Sequence, residues 1–260
     1  MRNADCLYSN LVIYQKLNHL CRPSMASVAL KPLTLQIISD SICPFCYLGY
    51  RQITLAMEAA KKEALPVDFK LRFKPFLLDP SLPTDKPLNK RTLYYGKFGK
   101  ENFERMEKQM IARGKDVGIN YSYDGDVRQT TESHRLIEKA FLVGGEQKQR
   151  AVVEALFAGY FENARDVGDH GFLVNCAVNA GVFGNADEAL AFFKSAELKD
   201  VVTKDIGEAQ KMGVQGVPFV VLNNKYAVSG AQGQDAFLSV FRKLAAEASP
   251  AITTEQGEVC

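Results

Sequence analysis

A pair of cysteines separated by two residues is the feature of this sequence that most directly suggests chemistry. The pair stands in the segment Cys43-Pro44-Phe45-Cys46. The other four cysteines are isolated in the chain: Cys6, Cys21, Cys176 and Cys260. Two thiols at this spacing can close a disulfide at the start of a helix, or they can supply half of a tetrahedral zinc site.

The rest of the sequence favours redox chemistry over metal binding. A structural zinc ion needs four ligands, and there is no second Cys-x-x-Cys pair. The three histidines, His19, His134 and His170, are scattered without the spacing of ligands. Six cysteines in 260 residues are also too sparse for the disulfide scaffold of a small secreted protein. We therefore predict a redox pair, no metal site and four cysteines without a role, the alternative being two cysteines packed at chance spacing.

The elements around the pair would place it at a junction between a strand and a helix. Residues 33–39 read as a short buried strand, and residues 47–63 carry helix formers with apolar residues at helical spacing. Unpaired N–H groups at a helix N-terminus favour a thiolate over a thiol. Pro44 suits the first helical position, which needs no N–H partner. We expect Cys43 to be the exposed nucleophile and Cys46, one turn into the helix, to be more buried and to resolve the mixed disulfide.

The remaining pattern predicts an α/β fold with a helical insertion. Residues 67–73 alternate as a half-buried strand, and residues 90–212 read as helical throughout. Within this block, Gly144 and Gly145 separate two helices predicted at about 132–143 and 146–164. Strand patterns return at 218–222 and 226–229, joined by turn residues, and a last amphipathic helix covers about 233–247. The order β-α-β, helical block, β-β-α predicts a four-stranded sheet interrupted by helices.

This order suggests four parts of the chain. They are an N-terminal extension (1–31), an α/β unit made of two segments (32–88 and 206–248), a helical insertion (89–205) and a C-terminal tail (249–260). The extension has four basic residues against one acid and no long apolar run, which argues against a secretory signal. If the extension is a disordered tail, or if translation starts at Met25, we predict a cytoplasmic protein. A mitochondrial presequence is the alternative.

Composition and charge exclude several classes of protein. Apolar residues make up 47% of the chain, as in an ordinary globular protein and unlike a disordered one. A formal net charge of +2 gives no reason to expect nucleic acid or an anionic membrane as a partner. No apolar run approaches the roughly 18 residues that a membrane-spanning helix needs.

Two distant motifs resemble a known family. Ser41-Ile-Cys-Pro-Phe-Cys-Tyr-Leu-Gly49 after a strand, followed beyond the insertion by Gly213-Val-Gln-Gly-Val-Pro-Phe-Val-Val221, is similar to the DsbA-like branch of the thioredoxin superfamily. Within it, residues 33–247 resemble the FrnE-like oxidoreductases, cousins of the hydroxychromene carboxylate isomerases and kappa-class glutathione transferases. The resemblance implies a thioredoxin-like fold with a large all-helical insertion and thiol–disulfide exchange at Cys43 and Cys46. It also makes Val217-Pro218 the cis-proline dipeptide beside the cysteines.

The resemblance further implies the residues around the substrate. Pro44, Phe45, Val217 and Pro218 would contact a protein or small-molecule thiol or disulfide. Ser133-His134-Arg135-Leu136 resembles the Ala-His-Arg-Leu signature of a helix that faces the site, so His134 is a further candidate, with polar packing as its alternative role. No resident cofactor is implied, and a homodimer is among the assemblies that such relatives form.

Glutathione-dependent isomerase or transferase activity on a small aromatic metabolite is the alternative function, with glutathione as co-substrate. In those cousins a serine takes the place of Cys43, and in the kappa class a Ser-Asp pair binds glutathione after the last strand. The matching stretch here, Gly230-Ala231-Gln232, lacks the acid, which weakens this interpretation. A non-catalytic partner-binding protein on the same scaffold is a third hypothesis.

Overall fold

The structure, a computed structural model, describes residues 30–247 of the chain. Outside the described residues lie the predicted extension up to residue 29, residue 248 and the predicted tail 249–260. These parts of the chain include Cys6, His19, Cys21 and Cys260. The elements in chain order are β1 (Lys31–Ser39), α1 (Pro44–Lys62), β2 (Val67–Pro75), β3 (Leu88–Asn89), α2 (Lys90–Phe98), α3 (Lys100–Lys115), β4 (Asp126–Val127), α4 (Thr131–Glu162), α5 (His170–Asn179), α6 (Ala186–Lys194), α7 (Lys199–Lys211), β5 (Phe219–Leu222), β6 (Tyr226–Ser229) and α8 (Gln234–Glu247).

A four-stranded mixed sheet forms the centre of the fold, in the order β2-β1-β5-β6. Strand β1 pairs in parallel with β2 and antiparallel with β5, which forms an antiparallel hairpin with β6. Asn223 and Asn224 close this hairpin with φ angles of 49° and 53°, a left-handed conformation that asparagine tolerates better than most residues. The predicted α/β class, four-stranded sheet and helical insertion are confirmed.

One face of the sheet builds the core beneath the cysteine pair. Leu33, Leu35 and Ile37 alternate along β1 and are all buried, as a period of two requires when one face is covered. Helices α1 and α8 pack against each other, and both contribute buried residues to the same core. The first turn of α1 is thereby held at the end of β1.

Helix α4 combines the two helices predicted at 132–143 and 146–164. Gly144 and Gly145 interrupt its helical backbone, with φ angles of −149° and 60°, so the predicted break is present inside one long element. After the break, Gln149 bonds to β2. Its Oε1 accepts from the Phe73 N–H at 2.8 Å, and its Nε2 donates to the Phe73 carbonyl at 3.2 Å.

The prediction that residues 90–212 are helical throughout is wrong in one stretch. Residues 116–130 contain no helix, and strand β4 within them pairs antiparallel with β3. Strands of two residues are too short to produce a detectable pattern. Helix α7 crosses residue 205, where the sequence placed the end of the insertion. Between residues 30 and 247, no helix has the length and apolar character that spanning a membrane requires.

Candidate active site

The cysteine pair lies at the start of α1, as predicted. Cys43 is the residue that precedes the helix, with an extended backbone (φ −87°, ψ 113°), and Pro44 opens the first turn. The Cys43 carbonyl accepts hydrogen bonds from the backbone N–H groups of Cys46 and Tyr47 at 3.0 and 3.4 Å. No disulfide joins the two cysteines, so both are free thiols.

The prediction that Cys43 is exposed is wrong. Its exposed fraction is 2%, against 1% for Cys46, so both thiols are covered. Between residues 37 and 50, only Pro44 and Phe45 escape full burial, and Phe45 is 39% exposed. A loop of the insertion contributes to this cover, because the Tyr121 hydroxyl donates a hydrogen bond of 2.6 Å to the Pro44 carbonyl.

The second motif packs directly against the pair. The Cys43 thiol donates to the Val217 carbonyl with a sulfur–oxygen distance of 3.5 Å, and the Val217–Pro218 peptide bond is cis. Helix α1 approaches this segment closely at Gly49. A Cβ atom there would lie 3.0 Å from Pro218 Cγ and 3.5 Å from Ala231 Cα, so the absence of a side chain permits the contact.

The surroundings keep Cys46 protonated. Its pKa is raised well above the ordinary value, mainly by burial and then by the hydrogen bond to Cys43 and the charge of Cys43. The negative charge of Asp40 raises this pKa further, whereas a backbone hydrogen bond from Asp40 lowers it. Cys46 therefore becomes easier to ionise once the charge on Cys43 is removed, which is what formation of a mixed disulfide does.

A buried acid and a buried histidine lie beside the pair. Asp40 is fully buried, and its Oδ2 accepts from the Leu78 N–H at 2.7 Å. Its Oδ1 accepts no hydrogen bond and lies 3.4 Å from His134 Nε2, which is also 2.9 Å from the Phe76 carbonyl. His134 is only 3% exposed. This burial favours a packing role for His134 over direct contact with a substrate.

The start of α4 is fixed to the loop that carries the cysteines. Ser133 and Ser41 share a hydrogen bond with an oxygen–oxygen distance of 2.7 Å, and both residues are buried. The helix that bears His134 thus faces the site.

Three tyrosines of the insertion, Tyr94, Tyr121 and Tyr123, form what we call the tyrosine roof. The pKa of each is raised, chiefly by burial, and the charge of Cys43 is among the smaller causes for all three. A negative charge on Cys43 and a negative charge on any of these three tyrosines would therefore destabilise each other. The roof remains protonated at neutral pH and can donate hydrogen bonds.

The remaining described cysteine has the properties of a packing residue. Cys176 is 4% exposed in α5, and burial raises its pKa to about 12, so its thiol is protonated at neutral pH. Among residues 30–247, no three His, Cys, Asp or Glu side chains are grouped so that they could hold a metal ion.

Sequence reasoning missed two residues of the site. Asp40 stands three residues before Cys43, and its place directly after a buried strand was a signal that could have marked it. Tyr121 carries no comparable signal, because 77 positions separate it from the Pro44 carbonyl that it binds. The structure brings Cys43, Cys46, Val217 and Pro218 together, with Pro44 and Phe45 at their rim.

Comparison with known proteins places the chain in a family. Residues 34–242 match the model of the DSBA-like thioredoxin domain. The probable DsbA oxidoreductase SCO1869 from Streptomyces coelicolor has a sequence 30% identical to this chain. Its crystal structure superposes with a TM-score of 0.74, and the match covers 84% of this chain and 92% of that one. A 2-hydroxychromene-2-carboxylate isomerase shares the fold at 14% identity, with a TM-score of 0.60 over 84% of this chain and all of the other (100%).

A curated protein is also similar to this chain over most of its own length. The uncharacterized protein YwbO of Bacillus subtilis (strain 168) is 25% identical over 210 residues, which are 78% of this chain and 92% of YwbO. The match to the family model extends from β1 into α8 and therefore includes both the cysteine pair and the Val217–Pro218 segment. The chain belongs to the family of DsbA-like thioredoxin-domain oxidoreductases.

Proposed function

We propose that the chain catalyses thiol–disulfide exchange through Cys43 and Cys46. The observation that carries this proposal is the placement of two free thiols at the first turn of α1, with Cys43 Sγ 3.5 Å from the Val217 carbonyl. The N–H groups at the start of the helix favour negative charge on Cys43. The pair therefore has an attacking and a resolving member.

The reaction proceeds in two exchanges. The Cys43 thiolate attacks one sulfur of a substrate disulfide, and the other sulfur leaves as a thiolate that takes a proton from water. Cys46 then loses its proton and attacks the Cys43 sulfur, which releases the second substrate thiol and leaves a Cys43–Cys46 disulfide. The substrate gains two electrons and the protein loses them, so an external thiol must reduce the pair before the next cycle. The reverse sequence oxidises a dithiol.

The neighbouring groups would assist both exchanges. When the Cys43 thiol leaves the Val217 carbonyl, that backbone group is free to hold the substrate, while Pro218 packs close to α1 at Gly49. Pro44 and Phe45 are the part of the segment that a substrate meets first. Asp40 is placed to influence the proton of Cys46, because its charge raises the pKa of that thiol and its Oδ1 accepts no hydrogen bond.

Turnover of a disulfide substrate by matched serine variants tests the proposal. We expect Cys43→Ser to lose turnover, since the attacking sulfur is absent. Cys46→Ser should form a mixed disulfide, detectable by mass spectrometry, without releasing the product. Cys176→Ser is the control and should behave as the wild type. Equal activity of Cys43→Ser and the wild type would overturn the proposal.

Glutathione-dependent isomerisation or transfer is the second candidate, and the burial of both thiols favours it. A site with covered thiols, whose solvent-facing residues are Pro44, Phe45 and Val217, suits a small molecule better than a large one. Calorimetry with reduced glutathione separates the two candidates. Tight binding that survives Cys46→Ser would favour this second function, and absence of binding would remove it.

A further inference from the structure

We propose that Arg51 and Arg113 select small substrates that carry a negative charge beside the reacting sulfur. The inference rests on the proposed thiol–disulfide exchange and names the substrate class of that site. It starts from the route to the buried thiols and from the charge along that route.

Phe45 is the exposed residue of the segment that carries the two buried thiols. Cys43 and Cys46 are 2% and 1% exposed, whereas Phe45, between them in sequence, is 39% exposed. Tyr121 holds the Pro44 carbonyl from the side of the insertion. The residues around Cys43 that reach solvent are thus Phe45 on one side and the half-buried Val217 on the other, and a small disulfide fits between them more easily than one on a broad protein surface.

One guanidinium group lies beside this entrance, and a second lies further along the same pair of helices. The Arg113 guanidinium, from α3, lies 5.5 Å from the centre of the Phe45 ring, at a distance where a cation is attracted to the ring face. Arg51, from α1, donates its Nε to the Val117 carbonyl at 3.3 Å, which fixes its side chain against the end of α3. Helices α1 and α3 contact each other directly, so the two arginines stand on neighbouring helices.

Neither arginine is neutralised by a carboxylate of the described chain. Of the ten arginines between residues 30 and 247, six form ion pairs: Arg72, Arg91, Arg128, Arg135, Arg150 and Arg242. Arg51 and Arg113 form no such pair within the described residues. An acid close to this side, Glu162, accepts a hydrogen bond of 2.6 Å from the Tyr47 hydroxyl. This bond leaves the negative charge of Glu162 in place near Arg51, so Arg113 is the more available of the two cations for a ligand beside Phe45.

Guanidinium groups match the geometry of carboxylates and phosphates, which they can bind through two parallel hydrogen bonds. A negative group near the substrate sulfur would meet Arg113 as the sulfur passes Phe45. The groups are solvent-accessible, so we expect a preference of about threefold to tenfold that weakens with salt.

The test compares three small disulfides of similar length and different charge. These are 3,3′-dithiodipropionate (anionic), bis(2-hydroxyethyl) disulfide (neutral) and cystamine (cationic). Turnover of each is measured for the full-length wild type, Arg113→Gln, the Arg51→Gln/Arg113→Gln double variant and Arg105→Gln. Arg105 is the matched control, because it lies on the same helix as Arg113 and its guanidinium donates a hydrogen bond of 2.6 Å to Asn102, away from Phe45 in sequence and without an ion pair in the described residues.

We expect both arginine variants to raise KM for the anionic disulfide by about threefold to tenfold, the double variant more than Arg113→Gln. The kcat values and the turnover of the neutral disulfide should stay unchanged, and Arg105→Gln should match the wild type. Because each variant is compared with the wild type on the same probe, differences in the intrinsic reactivity of the three disulfides cancel.

Two results would overturn this proposal while leaving the proposed function intact. One is turnover of all three probes with no change of KM for the anionic probe in the double variant. The other is an equal effect of Arg105→Gln. Turnover that survives Cys43→Ser would instead refute the proposed function and this inference together.

Discussion

The burial of Cys43 leads to a prediction about the hydrogen bond between Tyr121 and Pro44. This bond ties the loop after α3 to the carbonyl between the two cysteines, at 2.6 Å. If the loop limits access to Cys43, replacing Tyr121 by phenylalanine should expose the thiol more often. The ring remains, so the packing of Tyr121 against Tyr47 and Phe161 is retained.

The size of the effect follows from the strength of the lost bond. A hydrogen bond of this kind contributes about 1 kcal/mol net, since water can replace the hydroxyl at the half-buried Pro44. A change of 1 kcal/mol corresponds to roughly a fivefold change in population. We therefore expect Tyr121→Phe to increase the open population about fivefold.

Alkylation of Cys43 by iodoacetamide measures this population, because reaction follows the open form when opening and closing are fast. The modified peptide is quantified by mass spectrometry, so the other cysteines do not interfere. Rates are measured across pH. The plateau rate should rise about fivefold in Tyr121→Phe, and the midpoint of the pH curve should stay where it is in the wild type.

Tyr95→Phe is the control, since the Tyr95 hydroxyl bonds to Glu104, at 3.5 Å, and has no hydrogen bond to the cysteine segment. An unchanged plateau in Tyr121→Phe, together with a loss of about 1 kcal/mol in unfolding free energy, would refute the reasoning. It would show that the bond stabilises the fold and does not control access. A shifted midpoint would show that Tyr121 acts on the thiolate itself.

Two further predictions concern the supports of the site. Gly49→Ala should lower the unfolding free energy measured in urea by about 1–3 kcal/mol, because the added Cβ would crowd Pro218 at 3.0 Å. Gly207→Ala is the control and should not lower the unfolding free energy, since its added Cβ meets nothing within 4 Å. Equal losses in the two variants would contradict the packing argument. Burial lowers the pKa of Lys90 from 10.5 to about 8, so its ammonium costs stability below pH 8 and this cost disappears as pH rises to 10.5. The unfolding free energy should therefore rise by about 3 kcal/mol relative to Lys90→Met across that interval, and a constant difference would exclude the buried charge as the cause.

Sequence patterns identified the elements whose cause is local. The alternation of Leu33, Leu35 and Ile37 predicts a strand because a strand has a period of two, and the same residues are buried on one face. Pro44 predicts the first turn of α1, since proline needs no N–H partner there. The hairpin at Asn223 and Asn224 follows from the left-handed conformations that asparagine accepts.

Features that depend on distant parts of the chain were not visible in the sequence. The cover over Cys43 involves Tyr121, which is far from the cysteines in sequence and stands in a loop with no regular pattern. The pairing of β3 with β4 joins residues almost forty positions apart through two residues each. The family resemblance supplied the position of Val217 and Pro218 beside the pair, which spacing alone would not have given.

The hydrogen bonds of Gln149 to Phe73 bear on how this protein can associate. Strand β2 lies at one edge of the sheet, and an uncovered edge strand recruits strands of other molecules. The Gln149 amide offers Phe73 an acceptor and a donor, as a neighbouring strand would, and Glu146 accepts from the Leu71 N–H at 3.0 Å. Helix α4 thus blocks this edge against a second copy and against fibrillar aggregation. Within residues 30–247, the edge of this sheet that remains open to strand addition is β6.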